Sequence, residues 1–547
     1  MKTFILSMLF FIPFALASQT TIWSDYRYNN SNDIYTNSVI FDQFGNSFVG
    51  GTYFASLYFP NDTLTTYYSG PNNYPDIFIT KYDSLGNIKW AINDGGVNDG
   101  DYCEDLVSDY NTGDVISVGY YRGDDAFGGL PSSSYMAAYI ARYDSTGTLL
   151  WSVGGKCPSA DVVSRAVDID PDGFIYVFGE ATSSINMSPF YLDSFDYGFF
   201  LAKISPQGNP VWLKAFDSSS NRSVADIKYD ENGYIYISGA FNHELNFNDT
   251  IIYPNLGGYS DFFCAKLDTA GNLIWVNKAG GYTNDYGYSM DIDNEGNSYY
   301  YGRFADSIVF ENDTTIYGLG DKDQFTAKYN SDGQLVWAKT FIAAGDYEIY
   351  YNFSFPRIVL DNTGNMYIAG NFKGVGHIGT DSIVNSATDY DIFLVKLDTS
   401  GNPIWISTSY SESDQYCRDI SYNNGKIYMT GMAHGTDINI FGDTLTYFPT
   451  MNYFVAVLDT TDSSLPTYFE NQNKMENIVG IYPNPASNAL FVKNASEGTI
   501  FIYNLLGILL DEVEVTSDNQ MINLSDYKPG TYILRHNEFT EKFFIIK

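Results

Sequence analysis

The stretch "YDSLGNIKW" (82–90) decides the fold, because near-copies of it recur along the chain. Each copy places a glycine in a polar turn and a tryptophan four residues later. The copies are "YDSTGTLLW" (143–151), "ISPQGNPVW" (204–212), "LDTAGNLIW" (267–275), "YNSDGQLVW" (329–337) and "LDTSGNPIW" (397–405). A seventh copy, "LDTTDSSLP" (458–466), lacks both residues, whereas Trp23 stands near the start of the chain without such a turn.

A second motif carries two glycines six residues apart. In "DIDPDGFIYVFGEA" (168–181), a polar turn with Gly173 is followed by alternating strand residues up to Gly179. The first glycine suits a turn that needs positive φ, and the second marks a bend or a close approach at the strand end. The seven pairs are Gly45/Gly51, Gly113/Gly119, Gly173/Gly179, Gly233/Gly239, Gly296/Gly302, Gly364/Gly370 and Gly425/Gly431.

The two motifs define a repeat of four strands, with successive first glycines 60–68 residues apart. Aromatic residues make up 17 % of the chain, which favours strands, and long segments of helical periodicity are absent. This period is too long for one coil of a solenoid and is typical of a propeller blade. The sequence therefore predicts an all-β fold with a seven-bladed β-propeller over residues 19–465.

The unequal ends of the repeat region predict how the ring closes. If the tryptophan strand is the outermost strand of each blade, residues 420–459 supply only three strands of the last blade. The strand with Trp23 would complete that blade. Such closure removes free sheet edges, which would otherwise promote aggregation.

The two ends of the chain differ from the repeats. Residues 1–18 have the pattern of a secretory signal peptide, with Lys2, an apolar run too short to span a bilayer, and a small-residue cleavage site. We expect no transmembrane segment, because no longer apolar stretch follows. Residues 466–477 are polar and predict a linker, and the alternating strands of 478–547 predict a small β-sandwich.

Both parts resemble known families. The repeats resemble a bacterial β-propeller repeat family of secreted and surface proteins. The segments "IYPNPASN" (481–488), "IFIYNLLG" (500–507), "INLSDYKPGTYIL" (522–534) and "KFFIIK" (542–547) resemble the type A C-terminal sorting domain of type IX secretion substrates. That resemblance implies export to the periplasm, contact with the type IX machinery, and a final place on the outer cell surface or outside the cell.

The charge restricts the partners. The formal net charge is −36, so we expect no nucleic-acid partner, and anionic lipid surfaces are disfavoured. Cations or neutral polysaccharides remain compatible with this charge, as does solubility alone.

A polar residue stands twelve positions before each turn glycine, which predicts a ring at the start of the innermost strands. These residues can hydrogen-bond the local backbone, as Asp and Asn commonly do. Alternatively, they line a channel mouth and bind a cation or sugar hydroxyls. The candidates are Asp33, Asp101, Asp161, Asn221, Asn284, Asn352 and, beside Ser413, Asp414.

Two further candidates concern metals and disulfides. Asp168, Asp170 and Asp172 have the spacing of a calcium loop, but its twelfth position holds Gly179 in place of a bidentate acid, so a hairpin turn is favoured. We expect no cofactor, with calcium as the one alternative. Cys103 and Cys157 precede or begin successive inner strands, where a disulfide between neighbouring blades is conceivable.

No catalytic motif appears, and the four histidines lie at unrelated positions, so we expect a protein that is not an enzyme. Variable, tyrosine-rich loops suit carbohydrate or protein ligands. We expect a secreted or surface-bound binding or adhesion module. The alternatives are a polysaccharide lyase or glycoside hydrolase, which needs an acid pair or a His/Tyr/Arg set near the axis, and a structural surface protein.

Overall fold

The computed structural model describes residues 21–545 with internal gaps. The gaps are 30–33, 61, 68–73, 98, 125, 194–196, 219–221, 248, 256–258, 319–322, 345–356, 374, 379–380, 385–388, 410, 412, 435–436, 442, 447–451, 461–479, 483–488, 494–497, 505–507, 516–518, 526 and 537–538. The predicted signal peptide, the predicted linker and three ring candidates (Asp33, Asn221 and Asn352) therefore lie outside the described residues.

The described chain is all-β, built from short antiparallel strands with a 3₁₀ turn at Glu311–Asp313. None of its helical segments has the length and apolar character needed to cross a membrane. The chain divides into two compact units between Pro466 and Thr467.

The first unit contains seven sets of four antiparallel strands. In every set, strands that are consecutive in the repeat are hydrogen-bonded neighbours. We number these sheets along the chain. Sheet 1 contains β2 (Ile34–Phe41), β3 (Ser47–Tyr53), β6 (Asp76–Tyr82) and β7 (Ile88–Asp94). Sheet 2 contains β8 (Tyr102–Ser108), β9 (Val115–Gly123), β10 (Ser133–Tyr143) and β11 (Leu149–Gly155). Sheet 3 contains β12 (Val162–Ile169), β13 (Ile175–Ala181), β16 (Gly198–Ile204) and β17 (Pro210–Ser218).

The remaining sheets repeat this order. Sheet 4 contains β18 (Arg222–Tyr229), β19 (Tyr234–Phe241), β22 (Asp261–Asp268) and β23 (Leu273–Ala279). Sheet 5 contains β24 (Tyr286–Ile292), β25 (Ser298–Phe304), β28 (Asp323–Tyr329) and β29 (Leu335–Ala344). Sheet 6 contains β30 (Arg357–Leu360), β31 (Met366–Phe372), β34 (Asp391–Leu397) and β35 (Pro403–Thr408). Sheet 7 contains β36 (Gln415–Asn423), β37 (Lys426–Ala433), β40 (Asn452–Asp459) and β1 (Thr21–Asn29).

The strand that contains Trp23 completes the last sheet. β1 pairs antiparallel with β40, and Ser24 lies opposite Ala456 in the register. The pairing predicted from the missing seventh tryptophan is therefore observed. The first strands also contact each other in a cycle, because β2 contacts β8, each following first strand contacts the next, and β36 contacts β2 again.

Hydrophobic layers fill the space between neighbouring sheets. One layer between sheets 2 and 3 contains Val118, Ile140, Val177 and Phe200, all fully buried. The second and third strands are buried along almost their whole length, which explains their continuous apolar and aromatic runs. Burial of such side chains is the main favourable term for this unit.

The variable excursions between second and third strands form small hairpins in most repeats. The hairpins are β4 (Ser56–Phe59) with β5 (Asp62–Thr65), β14 (Ile185–Met187) with β15 (Phe190–Leu192), β20 (Leu245–Asn246) with β21 (Ile251–Ile252), β26 (Ser307–Val309) with β27 (Thr315–Tyr317), β32 (Val375–Ile378) with β33 (Asp381–Val384), and β38 (Asp437–Ile440) with β39 (Asp443–Thr446). Three of them extend the preceding sheet, since β4 pairs with β1, β20 with β17 and β32 with β29. These hairpins cover outer sheet edges.

The predicted disulfide is wrong, because both thiols are free. Cys103 belongs to the hydrophobic layer between sheets 1 and 2, and its Sγ lies 3.5 Å from Ser117 Oγ. Cys157 belongs to the layer between sheets 2 and 3, and its Sγ lies 3.4 Å from Ser184 Oγ. The two cysteines follow each other in the repeat but point into layers on opposite faces of sheet 2.

The second unit contains a three-stranded and a four-stranded sheet. The first consists of β41 (Gly480–Tyr482), β42 (Ala489–Lys493) and β45 (Asn519–Asn523), and the second of β43 (Thr499–Asn504), β44 (Leu509–Glu514), β46 (Gly530–His536) and β47 (Phe539–Ile545). Leu490 and Ile522 of one sheet share a buried cluster with Ile500 and Leu534 of the other. A core shared by two sheets is the arrangement of a β-sandwich.

Candidate binding site in the axial cavity

The first strands of all seven sheets line one cavity of about 270 Å³, which we call the axial cavity. Each strand contributes at least one polar side chain. These include Ser38, Asp105, Asp168, Asp226, Ser289, Arg357 and Asp419. Because residues from every repeat converge here, this is the place where side chains far apart in the sequence can act together.

β-Bulges place these side chains. In six first strands the pairing with the second strand skips one residue. The skipped residue directly follows the residue that pairs with the second glycine of the repeat. It lies, for example, between Cys103 and Asp105 in β8 and between Cys417 and Asp419 in β36. A bulge inserts one unpaired residue and re-aims the side chains beside it. Here the unpaired residues include Glu104 and Arg418.

Carboxylates of the first strands join neighbouring first strands, and four of the five acids concerned line the axial cavity. The innermost strand of a sheet is an edge, so its outward backbone N–H groups lack a partner in their own sheet. In five cases an aspartate of one first strand accepts a hydrogen bond from such an N–H of the next first strand. The pairs are Asp105 with Val167 (3.0 Å), Asp168 with Tyr229 (2.7 Å), Asp226 with Met290 (3.1 Å), Asp291 with Leu360 (2.7 Å) and Asp419 with Val39 (2.8 Å).

Side-chain contacts supply the two remaining links. Ser38 Oγ of sheet 1 donates to Asp105 Oδ1 of sheet 2 at 3.0 Å. Arg357 Nε of sheet 6 lies 3.6 Å from Asp419 Oδ1 of sheet 7. Polar contacts therefore connect every successive pair of first strands around the cavity.

The cavity combines several acids with few cations. Burial raises the pKa of Asp105 to about 7 and the pKa of Asp168 to about 6. Lys228 also lines the cavity, and its amino group has no hydrogen bond or ion pair with any part of the chain that the structure describes. Burial disfavours the charged amine, but Asp226, Asp168 and further carboxylates nearby outweigh burial and raise its pKa.

Three of the predicted ring residues occupy one equivalent position. Asp161, Asn284 and Asp414 each accept a hydrogen bond at 2.9 Å from a backbone N–H at or just before the third strand of the preceding repeat. This is the backbone-bonding role of a short polar side chain. None of the three is among the residues that line the axial cavity.

Asp101 occupies a different position from the other ring candidates. It lies one residue closer to its strand, is fully buried, and accepts a hydrogen bond from Gly96 N at 2.6 Å. The turn between the first and second strands of sheet 2 is one residue longer than the equivalent turn of sheet 1. Counting twelve residues back from Gly113 therefore reaches Asp101, whereas the residue that is structurally equivalent to Asp161 is Gly100. Burial raises the pKa of Asp101 well above its ordinary value.

The three metal candidates do not converge. Asp168 lines the cavity, whereas Asp170 Oδ1 accepts from the backbone N–H groups of Asp172 and Phe174 and thereby shapes the turn. Asp172 is exposed. Within the described residues, no three His, Cys, Asp or Glu side chains are arranged to hold a metal ion.

Sequence reasoning found Asp168 but missed the other cavity acids. The available signal was a recurring Asp-Leu or Asp-Ile pair in otherwise apolar first strands, at Asp105, Asp226 and Asp419. Turns of different length place these acids eight, seven and six residues before their turn glycines, which hides their equivalence.

Comparison with known families identifies the second unit. Residues 480–547 match the secretion system C-terminal sorting domain. The protein is therefore a substrate for secretion to the cell surface or the extracellular space, and its C-terminal domain is the part that the secretion machinery engages.

For the repeats, a WD repeat-containing protein of Acanthamoeba polyphaga mimivirus is 24 % identical over 240 residues, which is 37 % of this chain and 17 % of the relative. The alignment thus spans far less than two thirds of that relative.

Solved structures share only low similarity with the chain. A Dyadobacter fermentans protein of unknown function is 9 % identical, with 81 % of this chain and 99 % of that chain covered and a TM-score of 0.36. An inactive virginiamycin B lyase from Staphylococcus aureus with quinupristin is 9 % identical (79 % and 98 % covered, TM-score 0.36). An ulvan lyase from a new polysaccharide lyase family is 10 % identical (76 % and 92 % covered, TM-score 0.39). TM-scores in this range do not establish a shared fold.

Proposed function

We propose that the first unit is a seven-bladed β-propeller that acts, after secretion, as a binding module, and that it holds a polar ligand such as a saccharide in the axial cavity. Three observations support the propeller. The sheets share one strand order, the first strands contact each other in a cycle, and β1 completes the last sheet. Sheets arranged in this way are the blades of a propeller.

The observation that carries the binding proposal is Lys228. Its ammonium group faces the cavity and donates no hydrogen bond to the described chain. All three of its N–H donors are therefore available for a ligand. Around it, serines and carboxylates offer acceptors to hydroxyl groups. A concave site with a few convergent polar groups is the usual form of a small-ligand site.

Catalysis is the second candidate, because Asp105 lines the cavity with its pKa raised to about 7 by burial. A carboxyl that titrates near neutral pH suits general acid–base chemistry. However, Asp105 already accepts hydrogen bonds from Ser38, Leu106 and Val167. These bonds occupy both of its oxygens with strand-joining contacts, which favours binding over catalysis.

The test is a thermal-shift screen of the full chain against soluble neutral and acidic oligosaccharides, followed by calorimetry of those that bind. We expect at least one saccharide to raise the melting temperature, and we expect Lys228→Met to abolish this rise. Lys89→Met, on the exposed side of an outer strand, is the matched control and should retain it. Lys228→Arg keeps the charge and shows whether a loss reflects ligand contact or folding.

Two results would contradict the proposal. One is a full rise in melting temperature with Lys228→Met, which would place the ligand elsewhere. The other is the absence of any rise across the whole panel for the unmodified protein.

A further inference from the structure

Arginines of the first and second strands lie towards one end of these strands, and among them Arg357 lines the axial cavity. The chain has nine arginines, and six of them lie on first or second strands: Arg122, Arg165, Arg222, Arg303, Arg357 and Arg418. Each lies towards the end where the first strand begins and the second strand ends. In an antiparallel pair these two ends meet at the same edge of the sheet. A strongly acidic chain thus places most of its arginines towards the same end of these strands, which we call the arginine end.

Some of these arginines are neutralised by acids of their own chain. Arg165 pairs with Glu104 at 2.8 Å and approaches Glu180 at 3.8 Å. Arg122 lies 3.9 Å from Asp161. The contacts with Glu104 and Asp161 link neighbouring repeats, the contact with Glu180 lies within sheet 3, and none of them needs a ligand to explain it.

Arg418 is not neutralised in this way. Its Nε donates to the carbonyl oxygen of Thr36 at 3.1 Å, and its Nη2 donates to Asn37 Oδ1 at 2.5 Å. Both acceptors are neutral. Within the described residues Arg418 forms no ion pair with a carboxylate, so its charge has no direct counter-ion there.

Arg357, in the neighbouring sheet, is also incompletely paired. Its Nε approaches Asp419 only to 3.6 Å and is buried without a hydrogen bond. Burial, and then the nearby positive charge of Arg357, lower the pKa of Arg418 to about 10. Two guanidinium groups close enough to repel each other are an electrostatic cost that a bound anion would remove.

Tyrosine side chains lie at the same end. Tyr102 and Tyr120 stack with ring centroids 4.7 Å apart, and Arg165 lies over the Tyr120 ring at 6.0 Å. Tyr288 is the unpaired bulge residue of β24, the position that Glu104 occupies in β8. Aromatic rings with polar tips suit the mixed apolar and hydroxyl surface of a sugar. The cavity is slightly smaller than the about 300 Å³ at which small-molecule sites usually begin, which favours a single terminal sugar over a threaded chain.

We propose that Arg357 and Arg418 bind the oxyanion of an acidic sugar residue, a carboxylate or a sulfate, that enters the axial cavity from the arginine end. This inference rests on the proposed function, because it names the ligand class of the same cavity. Guanidinium groups recognise planar or tetrahedral oxyanions through paired N–H donors. The net charge of −36 repels long polyanions, so a short or terminal acidic sugar is the better ligand.

The experiment measures binding of trigalacturonate to the full chain by calorimetry at physiological salt. Arg357→Gln and Arg418→Gln should each weaken this binding by about tenfold or more, because each removes a charge-assisted hydrogen bond. Arg535→Gln, an exposed arginine of the second unit, is the matched control and should leave it unchanged. A sulfated trisaccharide and the uncharged methyl ester of trigalacturonate form the other arms, and the acid that binds more tightly identifies the oxyanion.

Folding is controlled by Arg418→Lys, which keeps the charge and should retain more affinity than Arg418→Gln at a similar melting temperature. Equal affinity of the unmodified protein and both glutamine variants would overturn the inference, as would equal binding of the acid and its methyl ester. If the ester binds and Lys228→Met abolishes that binding, the cavity remains the ligand site and only the oxyanion is wrong. If no acidic saccharide binds, the inference fails, whatever neutral ligands the cavity accepts.

Discussion

At the residue scale, the recurring glycine and tryptophan are partners across neighbouring repeats. The indole N–H groups of five tryptophans donate to a carbonyl in the next repeat's second turn, as Trp90 does to Ser145 (3.0 Å) and Trp151 to Pro206 (3.0 Å). The indole ring then covers the glycine of that turn. A Cβ on Gly208 would lie 2.6 Å from Trp151, and one on Gly333 would lie 2.7 Å from Trp275. The glycine is needed both for its positive φ and for this contact.

Gly208→Ala should therefore cost more stability than a glycine change in an open turn. Gly129 is the matched control, because it also has positive φ but nothing lies within 4 Å of its Cβ direction. We expect a cost of about 1 kcal/mol for Gly129→Ala from backbone strain, and about 2–4 kcal/mol for Gly208→Ala, where the indole must also move. Urea unfolding measures both. Similar midpoints for the two variants would show that the tryptophan contact adds nothing.

Buried acids at the repeat junctions are a second residue-scale feature. Asp285 is fully buried, accepts from Gly281 N at 2.7 Å through Oδ2, and has no partner for Oδ1. Burial raises its pKa to about 8, and the nearby Asp261, whose pKa burial raises to about 6, adds to this. The folded chain therefore keeps a proton that the unfolded chain loses near its ordinary pKa of about 4.

This proton sets the direction of a pH effect. The stability from Asp285 is complete below about pH 4 and is lost as the pH rises through about 8, because only the folded state still binds the proton in between. We expect the melting temperature to fall less between about pH 5 and 8 in Asp285→Asn than in the unmodified protein. Asp172→Asn, at an exposed turn, is the control. Parallel pH profiles of all three proteins would refute this assignment.

At the element scale, small irregularities decide what each strand does. The bulges in six first strands set which side chains face the axial cavity, including Asp105 and Asp419, and three of the excursion hairpins extend the preceding sheets. Two of the variable, tyrosine-rich loops that the sequence suggests for ligand binding, 56–75 and 243–260, contain hairpins that pair with β1 and β17. No described residue of these two excursions lines the axial cavity, so their variation in length affects the outer strands and not the cavity lining.

The closing strand β1 gives a direct test of register. Ser24 and Ala456 lie opposite each other, so Ser24→Cys with Ala456→Cys should form a disulfide on oxidation. Because it links distant parts of the chain, this bond should add roughly 2–4 kcal/mol of stability that a reductant removes. The control pairs Ser24→Cys with Val455→Cys, whose side chain points to the other face of the strand. Equal cross-linking of both pairs, seen by peptide mass spectrometry, would contradict the register.

At the scale of the whole molecule, the cycle of first strands creates a site that no single repeat contains. A lone first strand would expose its edge N–H groups to water, but in the cycle the aspartate of one strand binds the N–H of the next. The same closure confines the charges of Asp226, Lys228 and Arg357 to a small volume. Under the proposed function, stability and ligand binding therefore depend on the same side chains.

The sequence by itself determined the repeat unit, the order of its strands, the partner of the Trp23 strand and the sorting domain. All of these depend on local turn chemistry and on periodicity along the chain, which composition and spacing record directly. Only the tertiary structure decided that Cys103 and Cys157 lie in different layers and that Asp101 is out of step with Asp161. It also decided that Asp105, Lys228 and Arg357, which come from three different sheets, line one cavity. The physical reason is that turns of unequal length shift the repeats against each other, and that each of these side chains meets its neighbours from strands tens to hundreds of residues away.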